Sequence, residues 1–165
     1  MHTWSKMRYK LENEYLADSL RGHIRYFATS YNKCPDHNGR AAILLDGREV
    51  IEGSYYESWF YPPMMSAEDF WASFGVMDDT HVKYGMFDQQ CFYNAFNEFD
   101  NQSIEKSLES ENMLIRIFAV LDRRVGKRKL EKMKLTIEDE PEMFQKFYSI
   151  RMEFEESDKR LVTEL

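Results

Sequence analysis

Cysteine is scarce: Cys34 and Cys91 are the two in a chain of 165 residues. Two cysteines make no disulfide framework, and they do not form a zinc-type C-x-x-C spacing, so a reduced, cytoplasmic setting is expected. Glycine (seven) and proline (four) are few as well, which argues against a low-complexity or disordered chain. No apolar run approaches the roughly eighteen residues of a membrane span. The opening MHTWSKMRYKLENEYL has no uninterrupted apolar stretch, so no signal peptide is expected. An excess of positive charge is also lacking. The formal net charge is −7, which gives no general attraction to nucleic acid or anionic lipid. Finally, no G-x-S-x-G, Gly-rich dinucleotide loop or di-iron carboxylate helix can be found. That weakens an enzymatic reading without excluding it, because catalytic groups can be scattered along a chain.

What the chain does hold is large core groups. Aromatics make up 15% of residues, ten methionines accompany them, and 31% of residues are charged. A chain of this size suits one domain and can bury roughly 70% of the surface its unfolded form exposes, with no disulfide or metal staple. The expected class is α+β, a single domain over 1–165 with two lobes. Lobe 1–65 holds an N-terminal helix and a small antiparallel meander; lobe 66–165 holds several helices.

Trp4, Met7, Leu11 and Tyr15 recur at helical spacing, which predicts a helix over residues 3–20 with Thr3 as its cap and Gly22 beyond its end. GHIRYFATSY and RAAILLD read as strands separated by the turn-forming NKCPDHNG, and Asp46-Gly47 is a hairpin signal before REVIEGSYYESWFY. Pro62-Pro63 ends the sheet. Ser66 and Asp69 resemble a capping box before a short helix stopped by Gly75. VMDDTHVKYG reads as loop. Residues 88–99 read as a helix with Phe92, Phe96 and Phe99 on one side. From Ser103 the chain reads as helical to about Lys159, with breaks near 110–112, at Gly126 and at Pro141, the last suited to a first helical position.

One segment stands against the acidic whole. LDRRVGKRKLEKMK, Leu121 to Lys134, carries seven basic residues and two acidic ones. On a helical wheel Met113 to Val125 is apolar almost all round, with Asn112, Arg116 and Arg123 in one polar stripe, which describes a central helix. Gly126 is placed to end it in a left-handed conformation. Arg123, Arg124, Lys127 and Arg128 would then crowd a helix C-terminus, where cations oppose the macrodipole favourably. Asp122 is out of place on that apolar arc, and Arg151 is out of place on the apolar face of the last helix, EMFQKFYSIRMEFEE. Two misplaced opposite charges predict a structural ion pair, Asp122 with Arg151, across the helix interface. The competing view makes Arg116, Arg123, Arg124, Lys127 and Arg128 a binding set for phosphates. The acidic surroundings disfavour that, and the Gly-Lys pair is no P-loop, since Leu121 and Arg128 stand where Gly and Ser or Thr would be required.

Other candidates are weaker. Cys34, Asp36 and His37 sit together in a loop, without a second partner at a telling spacing for metal or nucleophilic chemistry. His81 beside Asp78 and Asp79 reads as a solvated loop. Tyr55 to Tyr61 is dense in aromatics; both faces of a strand there would be aromatic, and core packing is preferred to an exposed binding patch. No metal, cofactor or catalytic residue is assigned.

The pieces WSK, the GR…DG-x-E hairpin region, SENMLIRIFAVLDRRVGKRKL and FYSIR together resemble a family of small, uncharacterised bacterial proteins of about this length. Residues 121–128 are the most distinctive part. The resemblance implies a bacterial, cytoplasmic, single-domain α+β protein, and it carries over no catalytic residue. SENMLIRIFAVLD also resembles the second helix of a HEAT-type hairpin. DEPEMFQKFYSIR echoes it loosely, but two imperfect copies do not make a solenoid.

Three functions remain in play. The preferred one is a non-catalytic protein-interaction module, an adaptor or a toxin-neutralising immunity-type protein, with another protein as partner and charge complementarity speeding association. The second is a nucleic-acid binder using the basic corner 123–134. The third is an enzyme with an unmarked cleft that would gather Arg40, His37 or Asp46.

Overall fold

A computed structural model describes residues 3–30, 39–53, 66, 68 and 77–164. The chain is α+β: an N-terminal helix, a three-stranded antiparallel sheet, and a set of C-terminal helices. The expected helix over 3–20 is divided. α1 spans Trp4–Tyr9, a π-helical segment follows over Lys10–Tyr15, and a 3-10 turn spans Asp18–Leu20. The cause is at Leu16. Its N–H returns to Leu11 O (3.0 Å), five residues back, and its ψ of 135° then leads the chain out of the helix. Thr3 occupies the N-cap position without a side-chain cap bond.

The sheet order is β1 (Ile24–Ala28), β2 (Ala41–Leu45), β3 (Arg48–Gly53). β1 alternates inward Ile24, Tyr26 and Ala28 with outward residues, as a half-buried strand should. Asp46 (φ 49°) and Gly47 (φ 80°) close the β2–β3 hairpin, the two left-handed positions that an Asp-Gly turn is suited to. Gly53 is required for a different reason: a Cβ there would lie 2.3 Å from Phe87 O. On the outer side of β1, buried Glu12 accepts the Tyr26 N–H (2.9 Å) and the Arg25 guanidinium (3.0 Å), so a carboxylate stands where a further strand would pair. The expected aromatic stretch Tyr55–Tyr61, the Cys34–Asp36–His37 loop and nearly all of the short helix after Ser66 lie outside the described residues.

The helices follow as α2 (Asp79–Lys83), α3 (Gln89–Asp100), α4 (Ile104–Leu108), α5 (Met113–Val120), α6 (Lys127–Lys134) and α7 (Glu142–Thr163), with a 3-10 turn at Ile137–Asp139. α2 corrects the expectation of a loop there: Asp78 caps it by accepting the His81 N–H (3.1 Å). α3 buries Phe92, Phe96 and Phe99 as expected. Asp88, Ser103 and Asn112 cap α3, α4 and α5 through their side chains. Pro141 stands one position earlier than expected, as the N-cap of α7.

α5 is the central helix. Of its eight residues, seven are buried and Arg116 is half-buried. Phe118 packs edge-on against Tyr26, Phe92 and Phe99 at centroid distances of 5.7, 5.1 and 5.7 Å. One apolar cluster runs from Met7 through the sheet and α3 to Ile150 of α7. No helix among the described residues is long and apolar enough to cross a membrane.

Candidate functional site

The LDRRVGK segment is a joint between four parts of the chain. α5 stops at Val120, and residues 121–126 form a turn closed by Val125 N–H to Asp122 O (3.1 Å). This turn lies against the exit of the π-helical segment as an isolated antiparallel bridge, Leu16 to Asp122. Ala17 N–H donates to Leu121 O (2.9 Å) and Arg123 N–H to Tyr15 O (2.7 Å). From the other side comes Arg151 of α7, 3% exposed. Its guanidinium donates to the carbonyls of Val120 (3.1 Å), Asp122 (2.8 Å) and Val125 (3.0 Å), and to the Glu155 carboxylate (2.8 Å). A helix end leaves carbonyls without partners, and the planar five-donor fork of arginine supplies several at once. Burial lowers the Arg151 pKa, and the Glu155 carboxylate opposes that.

This corrects the expected Asp122–Arg151 ion pair. The two residues meet, but through the Asp122 carbonyl. The Asp122 carboxylate, wholly buried, turns back on its own loop. It accepts the Arg124 N–H (2.7 Å) and the Arg124 guanidinium (2.7 Å at the shortest). An aspartate bonding the backbone two residues on is a local motif that turns favour and helices do not. Because the helix ends one residue before Leu121, Asp122 has that geometry. Gly126 is corrected too. Its φ of −80° is not left-handed, and it serves as N-cap of α6 without ending α5.

The proposed binding set divides. Arg116 is engaged internally: it donates to Leu108 O (2.7 Å) and Glu140 (2.8 Å), with its guanidinium 4.0 Å from the centre of the Phe144 ring. Arg124 lies over the rings of Tyr15 (4.8 Å) and Phe99 (5.4 Å) while holding Asp122. That bond to Asp122 raises its pKa. Arg123, Lys127 and Arg128 are exposed and make no ion pair among the described residues, and the same holds for Lys129, Lys132 and Lys134. Lys127, Arg128 and Lys129 occupy the first turn of α6, with no acidic residue there. The expectation placed Arg123, Arg124, Lys127 and Arg128 at the C-terminal end of the central helix; Arg123 and Arg124 do follow its end, but Lys127 and Arg128 stand at the positive end of the next helix.

Beside them runs a groove of about 620 Å³ between the 123–127 turn, Ala17–Ser19 and the last turns of α7. Val162 gives it open apolar surface above buried Ala17 and Val125; Arg123, Lys127 and Lys159 give it positive charge, and Asp18 and Asp158 negative charge.

Sequence reasoning missed the cluster beneath the joint. Lys10 (2.5 Å) and the Tyr15 hydroxyl both donate to Asp100. Burial, then the bond to Asp100, raises the Tyr15 pKa. In an α-helix residues five apart point about 140° away from each other at about 100° per residue. The wider π winding brings Lys10 and Tyr15 onto one acceptor, and no residue pattern announces such a winding.

The remaining candidates are accounted for by local partners. His81 is buried and pairs with Asp78 (2.8 Å), while Asp79 accepts the Met143 N–H (2.7 Å) at the start of α7. No group of three metal-ligating side chains occurs among the described residues. Arg40 pairs with Glu49 (2.6 Å) and Glu52 (2.9 Å), and Asp46 with His23 (2.6 Å). Burial pushes the Cys91 thiol up to about 12, which removes its nucleophilic form at neutral pH.

No curated protein and no solved structure matches the chain. A family model does match, over residues 3–152, a span that includes α1, the sheet, the joint and Arg151. With nearly the whole described fold inside that match, the chain belongs to the SF0329 protein family.

Proposed function

We propose that the protein is a non-catalytic protein-interaction module, of adaptor or immunity type, whose docking face is the cationic outer side of α6. One observation carries this reading: Lys127, Arg128 and Lys129 stand at the positive end of a helix with no acidic residue in its first turn and no ion pair among the described residues. Cations there oppose the helix dipole and cost a few tenths of a kcal/mol each. Folding therefore gains nothing from them, whereas the basic residues that folding does use, Arg116, Arg124 and Arg151, are engaged inward. A residue set that breaks a local rule without a compensating contact is a mark of function.

A protein partner is favoured over nucleic acid by what lies among the cations. Leu135 is 85% exposed at the end of α6, and Glu131 interrupts the positive surface. An exposed leucine suits the apolar centre of a protein interface, and acidic groups oppose a phosphate backbone.

The test combines stability and contact. Arg128→Glu/Lys129→Glu should raise the urea midpoint, because the helix dipole is then matched. The same change should abolish protein adducts formed in cells by a photo-crosslinking residue placed at Leu135. Adducts destroyed by nuclease, no adducts at all, or adducts unchanged by the charge reversal would each overturn the reading.

A further inference from the structure

The groove between the 123–127 turn and the end of α7 has a character distinct from the α6 face beside it. It is about 620 Å³ and open to solvent, with room for a short stretch of chain to lie along it. Its open apolar residue is Val162, above a floor of buried Ala17 and Val125. Val125 is buried, while Val162 is 72% exposed. Its anions are largely occupied: Glu155 by Arg151 and Ser19 (2.9 Å), and Asp18 by Arg21 (3.2 Å). Among the described residues Arg123, Lys127 and Lys159 make no ion pair, and Asp158 and the exposed Asp18 line the groove with them. The groove thus offers apolar surface bordered by more available positive than negative charge, on a protein whose net charge is −7.

We infer that this groove seats an acidic polypeptide segment of the partner protein, with an apolar side chain against Val162 and carboxylates toward Arg123, Lys127 and Lys159. The inference rests on the interaction-module reading and adds the chemistry of what is bound. The turn that presents Arg123 is held by the Leu16–Asp122 bridge and by Arg151, so the site is formed before the partner arrives and little ordering cost falls on this side. Carboxylates meeting exposed arginine and lysine contribute mainly to encounter rate and register, and their effect weakens with salt. The apolar part of the groove gives a reason to prefer a polypeptide over a polyphosphate, which presents no aliphatic group.

The experiment uses the full chain and fluorescence anisotropy with three labelled probes: a glutamate- and leucine-containing peptide, the same peptide with glutamine for glutamate, and a single-stranded oligonucleotide. The acidic peptide is expected to bind, the glutamine peptide to bind about tenfold more weakly, and added salt to reduce the difference. Arg123→Glu/Lys127→Glu should lose acidic-peptide binding. Lys6→Glu/Arg48→Glu, which reverses two exposed cations elsewhere, should keep it, and Val162→Asp should weaken it. All of the substituted positions are exposed, and matching urea transitions establish that each variant is folded. Tighter binding of the oligonucleotide, binding untouched by the groove variants, equal loss in the Lys6/Arg48 control, or no peptide binding would overturn the inference. If the Leu135 adducts survive while the groove variants bind peptide normally, the seat is wrong and the interaction module stands.

Discussion

Arg151 is the residue on which the joint depends. Its guanidinium serves three carbonyls from the turn after α5 and one carboxylate on its own helix. Arg151→Leu would keep the packing but leave Val120, Asp122 and Val125 carbonyls without that donor. The expected loss is about 3 kcal/mol or more, read as a lower urea midpoint. Arg151→Lys should recover little of it, since one ammonium cannot span three acceptors in a plane. A variant with lysine as stable as the wild type would show that the charge alone matters. The sequence pattern revealed that a cation at 151 sits on an apolar face and must find a partner. It did not reveal that the partner is backbone, because carbonyls carry no mark in a sequence. For the same reason the buried Asp122 was matched with the wrong arginine: the near one, Arg124, lies two residues away and becomes available only in a turn.

At the scale of elements, the decisive feature is where helices stop. α5 ends at Val120 and α6 begins after Gly126, so Arg123 and Arg124 lie in the turn while Lys127, Arg128 and Lys129 belong to the start of α6. Gly126 has φ −80° and ψ 172°, with nothing within 4 Å of the position a Cβ would take. Gly126→Ser should therefore stabilise the protein by about 0.5–1 kcal/mol, by capping α6 and by reducing the freedom of the unfolded chain. Chemical denaturation reads the sign directly. A loss of stability would mean that the glycine is needed in a left-handed conformation after all. The hairpin at Asp46-Gly47 and the phenylalanine face of α3 were legible because each depends on neighbours in sequence. The π-helical segment was not, since its partners are distant in sequence: the Leu16–Asp122 bridge at its exit and the Asp100 carboxylate that Lys10 and Tyr15 share.

For the whole molecule, a single apolar cluster joins the sheet to α3, α5 and α7. The two lobes outlined by composition therefore share their core, with Phe118 meeting Tyr26 of β1 on one side and Phe92 and Phe99 of α3 on the other. One cooperative transition is expected, with far-ultraviolet and near-ultraviolet circular dichroism coinciding in urea. Separate transitions would show that sheet and helices unfold as independent units. The same scale governs charge. The chain is acidic as a whole, and internal contacts take up Arg116, Arg124 and Arg151. What remains outward on α6 and along the groove is a positive surface that the total charge conceals.

By itself the sequence determined the α+β class, the hairpin, the central apolar helix and the fact that 121–128 is a corner. These follow from spacing, turn chemistry and side-chain polarity, which act over a few residues. Only the tertiary structure decided which cations face inward and which outward, and which acceptors the buried ones meet. Hydrogen bonds to backbone carbonyls and the position of a helix end depend on distant segments packing together, and that information is spread over the whole chain.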